Sequence, residues 1–306
     1  MSDAVLILGA GGFIGRHLAE SLASDGRRVI AATRRPEGFA NPLIANVVSA
    51  FSTRNDFAEL LEDCTHIIHA ASSSTPGSSA TQPQLDGNLR TTLALIEALQ
   101  KFPSRRLLFL SSGGTLYGDR EKPVIESDQL LPRSYHGAGK AASEHFIHAW
   151  TSQYDGTAIV LRPSNVYGPG QVARAGFGII PAAFDCALNR TTLTIWGDGA
   201  SVRDYLYIDD LLHACRLALV KSIGTGTHTF NVANGEPITL NALLDNIDAI
   251  TGTPVPRSYN AMRSSDIRSI SLDISAARDS MDWRPTTPLA TGLERTWRWH
   301  AMQARE

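Results

Sequence analysis

The residues with the clearest chemistry stand at the start of the chain. Ala4-Val5-Leu6-Ile7-Leu8 is an apolar, branched run of buried-strand type; Gly9-Ala10-Gly11-Gly12-Phe13-Ile14-Gly15 follows, and residues 16–22 have helical spacing. Strand, glycine-rich turn and helix form the setting in which glycines hold a dinucleotide. Gly9 allows the tight turn, Gly12 lets the backbone approach a pyrophosphate, and Gly15 lets the helix pack close to the strand. The unpaired N–H groups at the helix start then face the anion, aided by the helix dipole.

A second cluster is Tyr135-His136-Gly137-Ala138-Gly139-Lys140. At about 100° per residue, helix positions four apart lie roughly 40° from each other and positions five apart roughly 140°. Lys140 therefore shares a face with His136, not with Tyr135. An imidazole titrates near neutrality and suits acid–base work, and the lysine's charge favours its neutral form. Other histidines are poorer candidates. His66 and His69 lie in a strand-like run, where alternation puts residues three apart on opposite faces. His145 and His148 have no third ligand beside them, so no metal is expected.

These groups need elements to place them. Residues 28–33 read as a second strand, at whose end the dinucleotide fold carries an acid for the adenosine ribose. Thr33 and Arg34 stand there instead, with Arg35 alongside. An arginine at that place pairs with a 2′-phosphate, so NAD and NADP both remain open. A third strand is expected over 43–48, a short helix over 57–61, a fourth strand ending in Ala70-Ala71 and a fifth over 107–110. Residues 72–84, rich in Ser, Thr, Pro and Gly, predict a loop, and Asn88 begins a helix through Leu99 with Leu89, Leu93, Ile96 and Leu99 on one face. Strand alternating with helix argues for a parallel, doubly wound sheet.

At 306 residues the chain is long enough for an α/β domain and a smaller lobe. With 28 basic and 30 acidic residues the net charge is −2, which points to neither nucleic acid nor membrane as a partner. The three cysteines, Cys64, Cys186 and Cys215, are widely spaced and suit reduced thiols in a cytoplasm. No basic stretch precedes the first apolar run, so neither a signal peptide nor a membrane span is expected.

The Gly-x-x-Gly-x-x-Gly spacing resembles the short-chain dehydrogenase/reductase superfamily, in its extended branch of NAD(P)-dependent nucleotide-sugar epimerases and dehydratases. The likeness continues through Leu110-Ser111-Ser112-Gly113-Gly114-Thr115-Leu116-Tyr117-Gly118, through Leu161-Arg162-Pro163-Ser164-Asn165-Val166-Tyr167-Gly168-Pro169-Gly170, and through Val202-Arg203-Asp204-Tyr205 and Arg263-Ser264-Ser265-Asp266. The resemblance implies that Gly9, Gly12, Phe13, Ile14, Gly15, Thr33, Arg34, Ala70, Ala71, Asn88, Ser111, Lys140 and Pro163 line a cofactor site. It implies that Ser112, Asn165, Arg203, Arg263 and Asp266 touch a nucleotide-diphosphate sugar. It also implies a homodimer through helices at about 84–100 and 136–154.

The chain departs from that family in three places. A family Ser or Thr that bonds the sugar hydroxyl is replaced by Gly113, with Ser112 and Thr115 the nearest hydroxyls. The dehydratases' Asp-Glu pair is replaced by Gly114-Thr115, which removes the acid–base carboxylate that dehydration needs. The family's catalytic Tyr-x-x-x-Lys has one residue too many if read from Tyr135. Three readings follow: His136 acts as the acid/base with Lys140; Tyr135 reaches in because the glycine-bearing helix is distorted or starts late; or the site binds without oxidising.

The fold class expected is α/β, a Rossmann-type doubly wound parallel sheet with a smaller C-terminal substrate-binding lobe. Residues 1–168 with 203–232 would carry NAD or NADP, 169–202 with 233–306 the nucleotide sugar, and the active site would lie between them. The favoured function is a 4-epimerase passing through a transient 4-keto sugar. The alternatives are an NADPH-dependent keto-sugar reductase and a catalytically silent nucleotide-sugar binder.

Overall fold

A computed structural model describes residues 4–75, 77, 80–173, 178–264 and 266–304. Seven strands form the main sheet: β1 Ala4–Leu8, β2 Val29–Thr33, β3 Ile44–Val48, β4 Cys64–His69, β5 Arg106–Leu110, β6 Thr157–Pro163 and β7 Gly226–Val232. Their order across the sheet is β7-β6-β5-β4-β1-β2-β3. The pairings β1–β2, β2–β3, β1–β4, β4–β5 and β5–β6 are all parallel. The order reverses at β1, the topological switch point at which such sheets bind ligands beyond their strand ends. Every residue of β1 and β2 is buried, as continuous apolar runs in a parallel sheet require.

The expected strands are present within a residue or two, but the stretch after β4 differs. The loop expected over 72–84 gives way at Gln82: Gln82–Gln84 is helical, Leu85–Leu89 winds as a π-helical turn, and Arg90–Leu99 continues as α-helix. Helix therefore begins well before Asn88. Pro83 sits in the first turn, where its missing N–H costs nothing, so a residue read as loop-forming opens a helix. Residues 76, 78 and 79 of that expected loop lie outside the described residues.

The chain forms two compact units, divided differently from the expected boundaries. Unit 1 is Met1–Ser112, Tyr135–Arg162 and Leu212–Phe230; unit 2 is Gly113–Ser134, Pro163–Leu211 and Asn231–Glu306. Backbone pairing explains why 113–134 joins the second unit. Val124 bridges Leu272, Arg120 N–H donates to the Ser269 carbonyl, and the Asp119 carboxylate accepts from the Arg268 and Ser269 N–H groups.

In unit 1 one apolar cluster, including Leu6, Leu8, Phe57, Ile67, Leu95, Phe109, Ile147 and Trp150, fills a face of the sheet. In the same unit the Glu144 carboxylate accepts from Arg162 Nη2 at 2.6 Å and from Ser111 Oγ at 2.5 Å. Both side chains of this ion pair are under a tenth exposed. In unit 2, three short pairings (Asn165–Tyr167 with Tyr205–Tyr207, Leu193–Trp196 with Arg257–Asn260, Val202–Arg203 with Ile238–Thr239) support the helices Ile179–Asn189, Leu240–Thr251 and Leu289–Gln303. Trp283 is fully buried and donates to the Asp210 carbonyl, while the Asp210 carboxylate accepts from the Thr286 and Thr287 N–H groups.

Removing one partner of a buried pair leaves the other charge uncompensated. Glu144→Ala is expected to lower unfolding stability by about 3–5 kcal/mol. Glu144→Leu with Arg162→Met should recover part of that loss in urea denaturation, the rest being the Lys140 charge that also loses its carboxylate; equal losses in single and double variants would refute the pairing argument.

Candidate functional site

In unit 1 the glycine turn joins β1 to the helix Phe13–Ser24. Gly9 has φ +83°, and a Cβ there would lie 2.6 Å from Ala71 Cα; a Cβ on Gly15 would lie 2.1 Å from the Gly9 carbonyl oxygen. The ends of β1 and β4 thus converge on a turn with no room for side chains. Gly12 caps the helix without any side-chain bond, leaving its first N–H groups for a ligand.

The end of β2 is tied down differently from an acid-tipped strand. Thr33 Oγ1 donates to the Arg35 carbonyl at 2.7 Å and accepts from Asn46 Nδ2 at 2.8 Å. Arg34 and Arg35 are exposed. Arg16 donates to Glu37 at 2.6 Å, and a Cβ on Gly11 would meet that same carboxylate at 2.9 Å. After β3, Ser49 Oγ donates to the Asp56 carboxylate, which ties the turn beyond that strand into a loop network.

The helix Tyr135–Tyr154 begins at Tyr135 itself and is continuous through both glycines. The late start or distortion that would bring Tyr135 in is therefore not the structure's arrangement: Tyr135 is 51% exposed, whereas His136 and Lys140 are 7% and 6% exposed. Lys140 Nζ donates to the Leu110 carbonyl at 2.7 Å and lies 4.7 Å from the centroid of the Phe109 ring. Burial lowers its pKa to about 8, against the opposing charge of Glu144 one turn further along. His136 Nδ1 lies 3.0 Å from Ser74 Oγ. Burial first, then the Lys140 charge, lowers the imidazole to about 4. The pair is thus a neutral imidazole beside an ammonium group, an arrangement able to accept a proton. Asn88 is buried and bonded to Ser73, Ser74 and Gln84.

His69 is also buried neutral, lowered to about 3 by burial and then by Lys140, with Nε2 against Thr92 Oγ1 at 3.0 Å and its ring edge-on to Phe109. His66 pairs with its neighbour Thr65 instead. His145 and His148 are exposed. Among the described residues no group of three or more His, Cys, Asp or Glu side chains could hold a metal ion.

Unit 2 carries the other candidates. Gly113–Leu116 forms a short helical turn with Thr115 buried, and a Cβ on Gly114 would lie 3.1 Å from Asn165 Oδ1. An Asp or Glu at 114 would crowd that amide. Asn165 N–H donates to the Asp204 carbonyl, and the Asp204 carboxylate accepts from Ser164 Oγ and from the N–H groups of Asn234, Gly235 and Glu236. Arg203 is occupied in binding backbone: its guanidinium donates to the carbonyls of Val202, at 2.7 Å, and Ile267. Arg263 donates to Asp266 at 3.1 Å and stacks 5.2 Å from the centroid of the Trp196 ring. In this structure Arg203, Arg263 and Asp266 are thus each engaged by protein partners.

Sequence reasoning missed Ser74, Gln84 and Glu144. Glu144 was detectable, four residues beyond Lys140 on the same helix. Ser74 had no such signal, because its partner lies 62 residues away.

The model of the NAD dependent epimerase/dehydratase family matches residues 5–233. The UDP-glucose 4-epimerase of Mycolicibacterium smegmatis is 30% identical over 305 residues, covering 95% of this chain and 96% of that protein. Among solved structures, the UDP-glucose 4-epimerase of Thermotoga maritima with UDP-glucose has a TM-score of 0.91 at 28% identity, covering 98% of this chain and 99% of that one. The UDP-glucose 4-epimerase of Thermus thermophilus in complex with NAD has a TM-score of 0.89 at 27% identity, covering 97% and 99%. No helix among the described residues is long and apolar enough to cross a membrane.

Two buried neutral histidines make stability depend on pH. Both fall below the usual value of 6.5, to about 3 for His69 and about 4 for His136. The unfolded chain then takes up protons on acidification that the native chain refuses, so stability is lost as pH falls from about 6.5 to about 4, by roughly 3 kcal/mol for each histidine. Urea denaturation across that range should give a flatter profile for His136→Gln than for wild type. Parallel profiles would mean that His136 is not buried neutral.

Proposed function

Because the chain belongs to the NAD dependent epimerase/dehydratase family, we propose that it is a nucleotide-sugar 4-epimerase in which His136 takes the place of the usual tyrosine. The observation that carries this reading is the shared buried face of His136 and Lys140, with Tyr135 exposed. The relatives named UDP-glucose 4-epimerase support a UDP-hexose as substrate.

The fit to NAD rests on the turn at Gly9, Gly12 and Gly15, where a Cβ at either end would strike backbone. Those residues would hold the pyrophosphate, with Phe13 and Ile14 opening the helix and Ala70 and Ala71 passing alongside. Lys140 would hold the nicotinamide ribose. NAD, when bound, supplies a reversible hydride acceptor for the sugar carbon. The exposed Arg34 and Arg35 leave a 2′-phosphate acceptable, whereas Glu37, paired with Arg16 over Gly11, opposes one; we read NAD as the working cofactor.

The protein's own part is proton handling and positioning. Neutral His136 accepts the proton of the sugar hydroxyl as that carbon is oxidised and returns it on reduction. The adjacent ammonium of Lys140 resists a second lasting positive charge, so the proton is given back readily. Ser112 and Thr115 supply the hydroxyls nearest the place of the family's missing Ser or Thr. Asn165, Arg203, Arg263 and Asp266 are assigned to the nucleotide diphosphate. Without a carboxylate pair at 114–115, the keto sugar has no general base for dehydration.

We further propose a cytoplasmic homodimer. Free, buried Cys64 and Cys215 suit a reducing compartment, and Leu85, Phe146 and Tyr154 are exposed on the helices expected to pair. Phe146→Glu should convert a dimer to a monomer in sedimentation velocity; a monomeric wild type would refute this.

Proton NMR of the purified protein with NAD and UDP-glucose, UDP-glucuronate or UDP-N-acetylglucosamine should show new anomeric signals without net NADH. His136→Ala should lower kcat by about 10²- to 10⁴-fold, and Tyr135→Phe by less than about twofold. The reverse pattern would restore the tyrosine as acid/base, and net consumption of NADPH with a keto sugar would identify a reductase. Binding without turnover of any sugar would leave the silent binder. The pH profile of kcat should hold down to about 4, where His136 becomes protonated, and should fall above about 8, where Lys140 loses its charge.

A further inference from the structure

The bonds around His136 determine which ring nitrogen carries its proton, and they do so from a fixed starting point. The Ser73 backbone N–H can only donate, and it donates to Asn88 Oδ1 at 2.7 Å. The other end of that amide is therefore Nδ2, which donates to Ser74 Oγ and to Gln84 Oε1, each at 2.8 Å. Gln84 must then present its oxygen, since a flipped amide would set donor against donor. Ser74 Oγ lies 2.8 Å from that same oxygen. Its single hydrogen goes there, because two oxygens at that distance need one between them. What Ser74 offers His136 is a lone pair. The contact at 3.0 Å between Ser74 Oγ and His136 Nδ1 is consequently an N–H donated by the imidazole.

We infer that Gln84, Asn88 and Ser74 are positioning residues that hold neutral His136 as the Nδ1–H tautomer, leaving Nε2 as the open basic nitrogen. This rests on the reading of His136 as the acid–base residue and deepens it. The π-helical turn Leu85–Leu89 offsets Asn88 from Gln84 within this network, and Gly87 makes room for the 73–74 turn: a Cβ there would lie 1.9 Å from Ser73 Oγ. Gly139, one residue before Lys140, leaves space for the Gln84 oxygen, which a Cβ would approach to 3.2 Å. A cost is visible as well. Gln84 Nε2 is buried with no hydrogen-bond partner among the described residues, which the orientation of Oε1 toward Asn88 and Ser74 imposes.

The test is a long-range ¹⁵N–¹H correlation spectrum of the imidazoles in the full-length protein with NAD near neutral pH, His136 being assigned by loss of its signals in His136→Gln. Wild type should show the proton on Nδ1. Ser74→Ala removes the hydroxyl but keeps the Ser74 backbone that also bonds the ring, so the decisive variant is Gln84→Met, in which the Ser74 hydrogen is released to point at Nδ1. Gln84→Met should move the proton to Nε2 and lower kcat about tenfold, the rate equivalent of one hydrogen bond, with KM little changed. Gln84→Met keeps the Ser74 hydroxyl that lies against His136 Nδ1, so a mere packing defect at residue 74 cannot account for a shift there. A wild-type proton on Nε2, or a proton that stays on Nδ1 in Gln84→Met, would overturn the inference. Retained turnover in His136→Ala would instead overturn the acid–base reading, a result independent of the spectra.

Discussion

The structure of unit 1 depends on a buried ammonium group. Lys140 is almost wholly out of water, and its charge is met by one carbonyl, one aromatic face and the Glu144 carboxylate one turn away. Burying such a charge is tolerable only if partners replace its hydration. That requirement fixes the neighbours: the strand end at Leu110 must present its carbonyl, and Phe109 must turn its ring toward the helix. Glu144, serving Lys140 electrostatically, must itself be balanced, which Arg162 and Ser111 do from the adjoining strands. The ends of β5 and β6 are thereby clamped to one helix.

The same charge governs its neighbours' protonation. His69 and His136 both sit where burial already favours the neutral ring, and the ammonium adds to it. Only His136 lies one helical turn from Lys140 on the same helix. His69 lies in the sheet, tied to Thr92 and packed against Phe109, and serves the core. Two histidines with similar electrostatics thus have different partners at their nitrogens.

Much of this was legible in the chain itself. Alternation of apolar strands with helices, and glycines at 9, 12 and 15, were enough for the sheet and its glycine turn, because local sterics and periodicity set them. Helical geometry alone paired His136 with Lys140. What escaped was non-local. The helix start at Gln82 was hidden in a Ser/Pro-rich run whose composition favours loops. The division of units turned on pairing between 119–124 and 268–272, which no local pattern announces. Arg203 and Arg263 read well as anion ligands from residue type, yet both have protein partners in this structure, since a guanidinium satisfies carbonyls and carboxylates as readily as phosphates.

With His136 in a tyrosine's place, as we propose, burial would act differently. A phenol is a base only when ionised, so burial opposes its basic form and a nearby ammonium must overcome that. An imidazole is a base when neutral, so burial and the ammonium act in the same direction. The site can therefore be deep without losing its base. The cost lies in strength: a ring held near 4 binds a proton weakly, below the value near working pH at which proton transfer is best matched. On the proposed reading, a proton reaching Nε2 would be held only while charge elsewhere in the site favours it, and would return when that charge does. For a reaction that must run forward and then back on the same substrate, a base that gives up its proton easily assists the second half as much as it weakens the first.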